Sequence, residues 1–371
     1  MRDTTRRYVA ILRSLTQLYQ PTPQGHQRQR LLTMALLISG VIGGQHCQLP
    51  QVIRHTPGRK ANDGSTEQRF RRWLQNPYVT HQCWMLPVAQ ALLTQLSSQP
   101  LHLVIDGSVV GRGCIALMVS VVYRKRALPL VWLVVRGNKG HLSDELHCAL
   151  LAELKPLVPA GAKVVVLGDG EFDGVAFLRA LEQCGWQYVC RTASTSHIYA
   201  GERVFQAQVL CGPRGSIQAM SDVALTSERY GPLSVVAVWG DAYDAPIYLV
   251  TNLSDLEAVV TTYRKRAQIE TFFADQKSRG FQVHRSHLEK PERLTRLLLV
   301  LALAYLWLVY LGTLAFSHSA YVRMLGRQRC DLSLFRLGAR LLDYCLRHAL
   351  PIPPASFVRL PPSLANTFSV R

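Results

Sequence analysis

Acidic residues are scarce in this chain. The 371 residues include 24 aspartates and glutamates against 42 lysines and arginines, which gives a formal net charge of +18. This surplus indicates a polyanionic partner, with nucleic acid first and an acidic membrane surface second; the alternative is the basic composition common in arginine-rich bacterial proteins. Only 18% of residues are charged while 48% are hydrophobic, which excludes a largely disordered protein.

Cysteines are also few and widely spaced. The closest two of the nine, Cys184 and Cys190, lie six positions apart. This spacing fits neither a small disulfide scaffold nor a zinc site, so we expect reduced thiols and no disulfides. Near the N-terminus no apolar segment leads to a small-residue cleavage site, and we expect a cytoplasmic protein.

The N-terminal region has helical periodicity and a strong positive charge. Residues 1–100 contain 12 basic and 3 acidic residues, whereas residues 101–190 contain 9 and 8. We predict an all-helical DNA-binding region over residues 1–97, whose fourth helix is capped by Ser65 and carries Arg69, Arg71 and Arg72. A fifth helix is expected over about 82–97. The alternative is a helical cap with a solvated arginine face.

Strand-like segments begin after residue 98. The order over 98–191 is strand, strand, strand, helix, strand, helix, strand, with strands predicted over 101–105, 114–123, 127–135, 163–167 and 186–191. The first strand thus ends just before Asp106. A meander followed by two crossovers is the order of a ribonuclease H-like core, so we predict an α/β fold.

A β-rich insertion is predicted over residues 192–252, where glycine and proline punctuate short apolar runs at 203–210, 233–239 and 246–251. Ser254 and Glu257 then form a capping box for a helix that we expect to continue to about residue 279. The core resumes over 253–316, and 317–371 form a basic, helical C-terminal tail.

Three acidic residues are candidates for a metal site. Asp106 follows the first strand and Asp169 the fourth, and these strands are neighbours in a ribonuclease H-like order. Glu270 lies on the later helix, and carboxylates from three elements are what a pair of hard cations requires. Glu171 and Asp173 also follow the fourth strand, and each is an alternative ligand or an ordinary helix cap.

One face of the predicted helix combines an acid with groups that bind phosphate. Tyr263, Arg266, Glu270 and Lys277 lie at offsets that fall on one side of a continuous helix. Arginine and lysine beside a metal carboxylate suit phosphodiester chemistry. An ordinary solvated helix face offers the same spacing, so the alternative stays open at this point.

The pattern Tyr263-x2-Arg266-x3-Glu270-x6-Lys277 resembles in full the Y-R-E-K signature of the IS-four family of insertion-sequence transposases. The contexts of Asp106 and Asp169 are similar to the two aspartate motifs of that family, although Gly170 stands where many members have arginine. The resemblance covers roughly residues 65–316. It implies an Asp106–Asp169–Glu270 catalytic triad that holds two Mg²⁺ ions, with Mn²⁺ as a substitute.

The same resemblance implies a reaction and its partners. A homodimer would cut the element at its terminal inverted repeats in double-stranded DNA and join the 3′-hydroxyl ends to target DNA. Tyr263, Arg266 and Lys277 would position phosphates, and Trp239 and Tyr248 are candidates for stacking on an extruded base. The alternative for both aromatic residues is ordinary strand packing.

Leu297–Phe316 is an apolar run long enough to cross a membrane. Because it follows the glutamate helix directly, we predict a buried helix and no membrane partner. Lys139 and His141 follow the third strand and are further candidates for DNA contact. Three alternatives remain: a ribonuclease H-like nuclease without strand transfer, a non-catalytic DNA-binding relic of a transposase, and a membrane-anchored protein.

Overall fold

The chain divides into two compact units. The computed structural model describes residues 2–58, 63–140, 142–241, 244–317 and 332–360. The first unit comprises residues 1–95, 110–114 and 273–371, and the second comprises 96–109 and 115–272. Helices build the first unit, and a mixed sheet with flanking helices builds the second. The chain is thus a mixed α/β protein.

Helices from both ends of the sequence form the first unit. The N-terminal ones are α1 (Asp3–Leu18), α2 (Gly25–Gly44), α3 (Leu49–Arg54), α4 (Asp63–Gln75), α5 (His81–Trp84) and α6 (Leu86–Leu96), which ends just past the unit. The C-terminal ones are α11 (Pro291–Ser317) and α12 (Leu334–Arg347). The helical character predicted for residues 1–97 is therefore present.

Two details of the N-terminal helices differ from the prediction. Ser65 does not cap α4, because that helix already includes Asp63. The single helix expected over about 82–97 is two, α5 and α6, which meet at Met85. Thr80 caps the first of them, since its hydroxyl accepts a hydrogen bond from the Cys83 main-chain N–H.

The long apolar helix α11 is the core of the first unit. By length and composition it is able to cross a membrane, but 89% of its most apolar window is buried inside the protein. It packs most extensively against α12, where the backbones approach closely at Gly312 and Gly338. A side chain at either glycine would overlap a main-chain carbonyl of the facing helix. The predicted burial of this helix is confirmed.

The two ends of the chain meet within this unit. The guanidinium of Arg6 on α1 donates hydrogen bonds to the main-chain oxygens of Cys345 and Leu346, at 3.2 and 3.1 Å. The hydroxyl of Ser14 donates to the main-chain oxygen of Ala355 at 2.6 Å. Polar contacts over more than 300 positions of sequence therefore join α1 to the C-terminal segment.

A ten-stranded sheet dominates the second unit. Its strands are β1 (Leu101–Gly111), β2 (Cys114–Tyr123), β3 (Arg126–Arg136), β4 (Val164–Gly168), β5 (Gln187–Thr192), β6 (His197–Ala200), β7 (Arg203–Gln206), β8 (Ile217–Leu225), β9 (Tyr230–Val238) and β10 (Ile247–Thr251). Its helices are α7 (Asp144–Leu154), α8 (Val175–Gln183), α9 (Leu256–Tyr263) and the first half of α10 (Gln268–Gln276). The strand order is β3-β2-β1-β4-β5-β10-β9-β8-β6-β7.

The first five strands pair as the sequence predicts. β1, β2 and β3 are consecutive neighbours, and β4 lies parallel to both β1 and β5. Helices α7 and α8 connect β3 to β4 and β4 to β5. The apolar runs that are buried on both faces, such as β4, explain why these strands lie inside the sheet.

The β-rich insertion extends the same sheet. β10 pairs antiparallel with β5 and with β9, so strands of the insertion continue outward from the core. Its pattern of short apolar runs predicted β7, β9 and β10, but β6 and β8 were missed. Most side chains in the first two thirds of β8 are exposed, which leaves no alternating apolar signal in the sequence.

The chain after the insertion is not one continuous helix. Asp255, rather than Ser254, caps α9, because its carboxylate accepts a hydrogen bond from the Ala258 main-chain N–H at 3.1 Å. A 3₁₀ turn over Arg264–Ala267 then separates α9 from α10, which ends at Gln276 and not near residue 279. The predicted capping box and the uninterrupted helix are therefore wrong.

Candidate active site

Asp106 lies within a strand of the sheet. It is the sixth residue of β1, and its side chain is only 2% exposed. The sequence prediction ended this strand before Asp106, whereas the strand continues to Gly111. The main-chain N–H of Gly107 donates to Asp106 Oδ1 at 2.7 Å, which fixes one carboxylate oxygen.

Asp169 lies beside Asp106 at the end of the neighbouring strand. β1 and β4 pair in parallel from Leu101–Val164 to Val104–Leu167. Continuing this register by two residues places Asp169 opposite Asp106. Asp169 Oδ1 accepts a hydrogen bond from the Glu171 main-chain N–H at 3.1 Å. The sheet thus brings together the first two predicted carboxylates.

Arg266 connects the third carboxylate to the first. Its Nη2 lies 2.5 Å from Glu270 Oε1, and its Nη1 lies 3.7 Å from Asp106 Oδ2. The contact with Glu270 spans the junction between the 3₁₀ turn and α10, and it is preserved although the helix is interrupted. Asp106 and Glu270 therefore share one cationic partner.

Burial and neighbouring charges act against each other at Asp106. Burial raises its pKa, and the negative charge of Asp169 adds to the effect, while the cations of Lys139 and Arg266 oppose it. The net shift is upward. A carboxylate in this environment gains from any added positive charge, because its solvation by water is largely lost.

Lys139 supplies a second cation. Its Nζ lies 3.0 Å from Asp106 Oδ1, and its side chain is 47% exposed. The loop that carries it follows β3 and includes Gly137 and Gly140, both with positive φ, a conformation that glycine adopts without strain. Lys139 thus lies at the acidic edge of the sheet, as its position after the third strand suggested. His141 lies outside the described residues.

The alternative acids after β4 have other partners. Glu171 Oε1 accepts a hydrogen bond from the Leu142 main-chain N–H at 2.9 Å. Asp173 Oδ2 accepts one from the Thr192 hydroxyl at 2.6 Å. Because each carboxylate holds a neighbouring loop or strand in place, we assign both acids a structural and not a catalytic role.

The ring of Tyr263 lies against the guanidinium of Arg266. The Cζ of Arg266 lies 5.9 Å from the centre of the Tyr263 ring, within the range of a cation–π contact. Burial raises the pKa of the Tyr263 hydroxyl to about 12, so the phenol stays protonated at neutral pH. Lys277, the fourth residue of the pattern, follows α10 and belongs to the first unit.

A cavity of about 590 Å³ opens beside Asp169. Tyr248 and Arg191 line it together with Asp169, whereas Trp239 is not among its lining residues. Sequence reasoning did not predict Arg191. The signal was present, because β4 and β5 are parallel and pair Gly168 with Cys190, so the residue after each pairing partner lies at the same edge.

The predicted basic helix α4 offers three exposed arginines. Arg69 Nε donates to the Thr33 hydroxyl at 2.9 Å, and Arg71 forms an ion pair with Glu67 at 2.5 Å. Arg72 is exposed on the same helix. Two of these side chains are therefore engaged with neighbours on helices α2 and α4.

The donor set at the sheet edge suits a hard divalent cation. Carboxylate oxygens are the preferred ligands of such ions. Within the described ranges, no three His, Cys, Asp or Glu side chains are grouped closely enough to enclose a metal. Instead, positively charged side chains lie beside the carboxylates: Lys139 contacts Asp106, and Arg266 contacts both Asp106 and Glu270. This edge of the sheet therefore accommodates a positive charge between Asp106 and Glu270.

A family model described as "Transposase DDE domain" matches residues 97–307. The chain belongs to this family of DDE transposases. The matched residues contain the sheet and all three predicted acids. Members of the family are enzymes of DNA transposition that bind DNA and generally use divalent metals.

The chain is also similar to the piggyBac transposase in a cryo-EM structure of its synaptic complex with hairpin DNA. The similarity covers 94% of this chain and 80% of that chain, at 14% sequence identity and a TM-score of 0.46. No curated protein matches the sequence.

Proposed function

We propose that this transposase belongs to the IS-four family of bacterial insertion-sequence enzymes. It cuts an element at its terminal inverted repeats and joins the 3′-hydroxyl ends to target DNA. The observation that carries the proposal is the contact of Arg266 with both Asp106 and Glu270, beside Asp169. The order β3-β2-β1-β4-β5 supports a ribonuclease H-like catalytic core.

Asp106, Asp169 and Glu270 are the proposed ligands of two Mg²⁺ ions, for which Mn²⁺ substitutes. When bound, such ions activate the attacking oxygen and stabilise the leaving oxygen of the phosphodiester. The buried position of Asp106 excludes water from one side of the site, and the exposed Glu270 closes the ligand set from α10.

The cations of the site are proposed to bind phosphate. Arg266 presents a planar fork that matches two phosphate oxygens, and Tyr263 orients it from below. Lys139 contacts Asp106 in this structure and would be free to bind the DNA backbone if a metal neutralised that carboxylate. Lys277 is proposed as a further phosphate contact, on the basis of its place in the pattern alone.

The cavity beside Asp169 is proposed to receive a base lifted out of the duplex. Tyr248 supplies a ring for stacking there, and Arg191 supplies a charge for the adjoining phosphate. Trp239 remains a weaker candidate for stacking. We further propose that residues 1–97, including Arg69, Arg71 and Arg72, contact DNA, and that a homodimer brings two element ends together in the nucleoid of a bacterial cytoplasm.

The deciding experiment measures strand cleavage and joining. The substrate is a duplex with the terminal inverted repeat of the element, incubated with Mg²⁺ or Mn²⁺ and a labelled target plasmid. We expect end-specific cleavage and a joined product from the wild type. The Glu270→Gln variant should lose both by about 10³-fold or more, since a metal ligand contributes several kcal/mol to the transition state.

A matched control uses a second exposed glutamate of the same unit. Glu257 is exposed in the first turn of α9 and is not among the proposed metal ligands, so Glu257→Gln should cleave like the wild type. Cleavage without joining would identify a nuclease. Binding without cleavage by the wild type in either metal would identify a non-catalytic relic, and the proposal would be wrong.

A further inference from the structure

A second cavity, of about 500 Å³, is strongly basic. It lies in the first unit, between α1, α2, α12 and the segment after α10. Among the described residues, one acid, Asp343, and five arginines line it: Arg7, Arg279, Arg336, Arg340 and Arg347. None of these residues belongs to the candidate active site of the second unit.

A buried arginine lies at the base of this cavity. Arg7 is 6% exposed, and its guanidinium is anchored by hydrogen bonds to the main-chain oxygens of Ser39, at 2.9 Å, and His55, at 2.6 Å. Gly43 provides the space, because a Cβ there would overlap the guanidinium. Burial lowers the pKa of Arg7 to about 10, so the group stays charged at neutral pH.

Among the described residues, Asp3 is the carboxylate that acts on the charge of Arg7, and it opposes the lowering of the pKa by burial. No acid of the described part of the chain lies at ion-pair distance from the guanidinium, and its hydrogen bonds go to neutral oxygens. A buried charge without an ion pair is unfavourable because it has lost its solvation by water. A buried arginine at the base of a basic cavity indicates a binding site for an anion.

Helix α12 lines the opening of the cavity with further arginines. Arg336, Arg340 and Arg347 are spaced by four and seven residues, so they lie on one helix face. Arg347 is paired with Asp343 at 2.7 Å. The exposed side chains of Arg336 and Arg340 have no acidic partner among the described residues, and both are available to a ligand.

We propose that this cavity binds a phosphate group of the DNA backbone, as a second DNA contact apart from the active site. Guanidinium forks match phosphate oxygens in charge and in geometry. The exposed arginines at the rim are accessible to a phosphate of a nucleic-acid strand. Arg7 would contact the same phosphate from the base of the cavity. The inference rests on the DNA-binding role of the protein.

The test compares two variants that lose equal charge. Arg336→Gln/Arg340→Gln removes the rim of the cavity, whereas Arg203→Gln/Arg229→Gln removes two exposed arginines of the second unit that do not line it. Affinity for a duplex of unrelated sequence is measured over a range of salt concentrations, and thermal melts establish that both variants are folded.

We expect the cavity variant to bind roughly tenfold more weakly at low salt and to lower the slope of log affinity against log salt by about 2. The control should keep the wild-type slope. Equal losses in both variants would show an effect of net charge alone and would overturn the assignment, as would an unchanged slope in the cavity variant.

A second arm separates DNA from free phosphate. Inorganic pyrophosphate is added to the wild type and to the cavity variant, and the melting temperature is measured. Pyrophosphate could raise the melting temperature of the wild type but not of the cavity variant, while the salt slope of DNA binding is the same in both. This result would assign the site to a free anion and overturn the DNA assignment. A wild type that binds no duplex would instead refute the proposed function.

Discussion

Arg266 controls the charge balance of the candidate active site. Its guanidinium contacts Asp106 and Glu270 and lies over the ring of Tyr263. The same carboxylates are the proposed metal ligands, so arginine and metal compete for the same negative charge. If a metal were bound there, the guanidinium of Arg266 would be free to bind a phosphate of the DNA.

Substitution of Arg266 by glutamine is expected to change two measurements in opposite directions. Binding of Mn²⁺, followed by calorimetry, should become roughly fivefold tighter, because a repelling cation worth about 1 kcal/mol is removed. Cleavage of the terminal-repeat duplex should fall by about 10²-fold, because the developing phosphate charge loses its arginine.

Arg264 is the matched control for this prediction. It lies on the same 3₁₀ turn and is exposed, so Arg264→Gln should leave metal affinity and cleavage near wild-type values. If Arg266→Gln weakened Mn²⁺ binding, the guanidinium would be supporting the metal site and not competing with it.

His102 predicts a dependence of stability on pH. Burial, together with the Lys265 ammonium 2.8 Å away, lowers its pKa to about 4. The unfolded chain binds a proton near pH 6.5 and the folded chain near 4, so the free energy of unfolding falls as pH decreases through this window. Above pH 6.5 this histidine contributes no pH dependence.

Urea unfolding between about pH 7 and pH 4 measures the effect. The His102→Gln variant should lose part of the wild-type decline in stability. His26→Gln replaces an exposed histidine and should retain the full decline. Identical pH profiles for all three proteins would show that His102 titrates normally in the fold.

At the scale of elements, two glycines set the distance between α11 and α12. Gly312 faces the main-chain oxygen of Leu334, and Gly338 faces that of Leu308. A methyl group at either position has no space unless the helices separate. Because the two backbones approach so closely, the packing of the first unit is sensitive to the addition of a single methyl group at these positions.

Gly338→Ala is expected to destabilise the protein by about 1–3 kcal/mol, because overpacking outweighs the higher helix propensity of alanine. Thermal and urea unfolding measure the change. Gly58→Ala is the control, since a Cβ at this exposed position meets no atom within 4 Å. An unchanged stability for Gly338→Ala would mean that the two helices adjust without cost.

The elements that sequence predicted are those with an apolar signal. β2 was predicted with its observed bounds, and β4 and β5 to within one residue, because their side chains are buried in continuous runs. The 3₁₀ turn at Arg264–Ala267 has no such signal, since its residues are partly or fully exposed and favour either helix type. Its position depends on packing that propensity does not describe.

The candidate site was predicted to the same extent. Asp106 and Asp169 follow from parallel neighbouring strands, and Arg266 and Glu270 from helical spacing. The contact of Lys139 with Asp106 depends on a loop whose path is set by two glycines with positive φ, Gly137 and Gly140. Spacing in sequence gives no distance for such a contact, because the loop admits many conformations.

At the scale of the whole molecule, the burial of α11 opposes membrane insertion. Most of its apolar surface is covered by the helices of its own unit, so little remains for lipid to cover. We expect alkaline carbonate extraction of a cell lysate to leave this transposase in the supernatant. An integral membrane protein of the same cells is the control, and pelleting of the transposase with it would contradict the prediction.

The pairing of α1 with the C-terminal segment has a consequence during translation. α1 leaves the ribosome well before its partners Cys345, Leu346 and Ala355 are made. At ~5–20 residues per second, α1 waits roughly 20 to 70 seconds for them. During this interval the nascent first unit lacks its closing helix α12, and its apolar surfaces are open to chaperones and proteases.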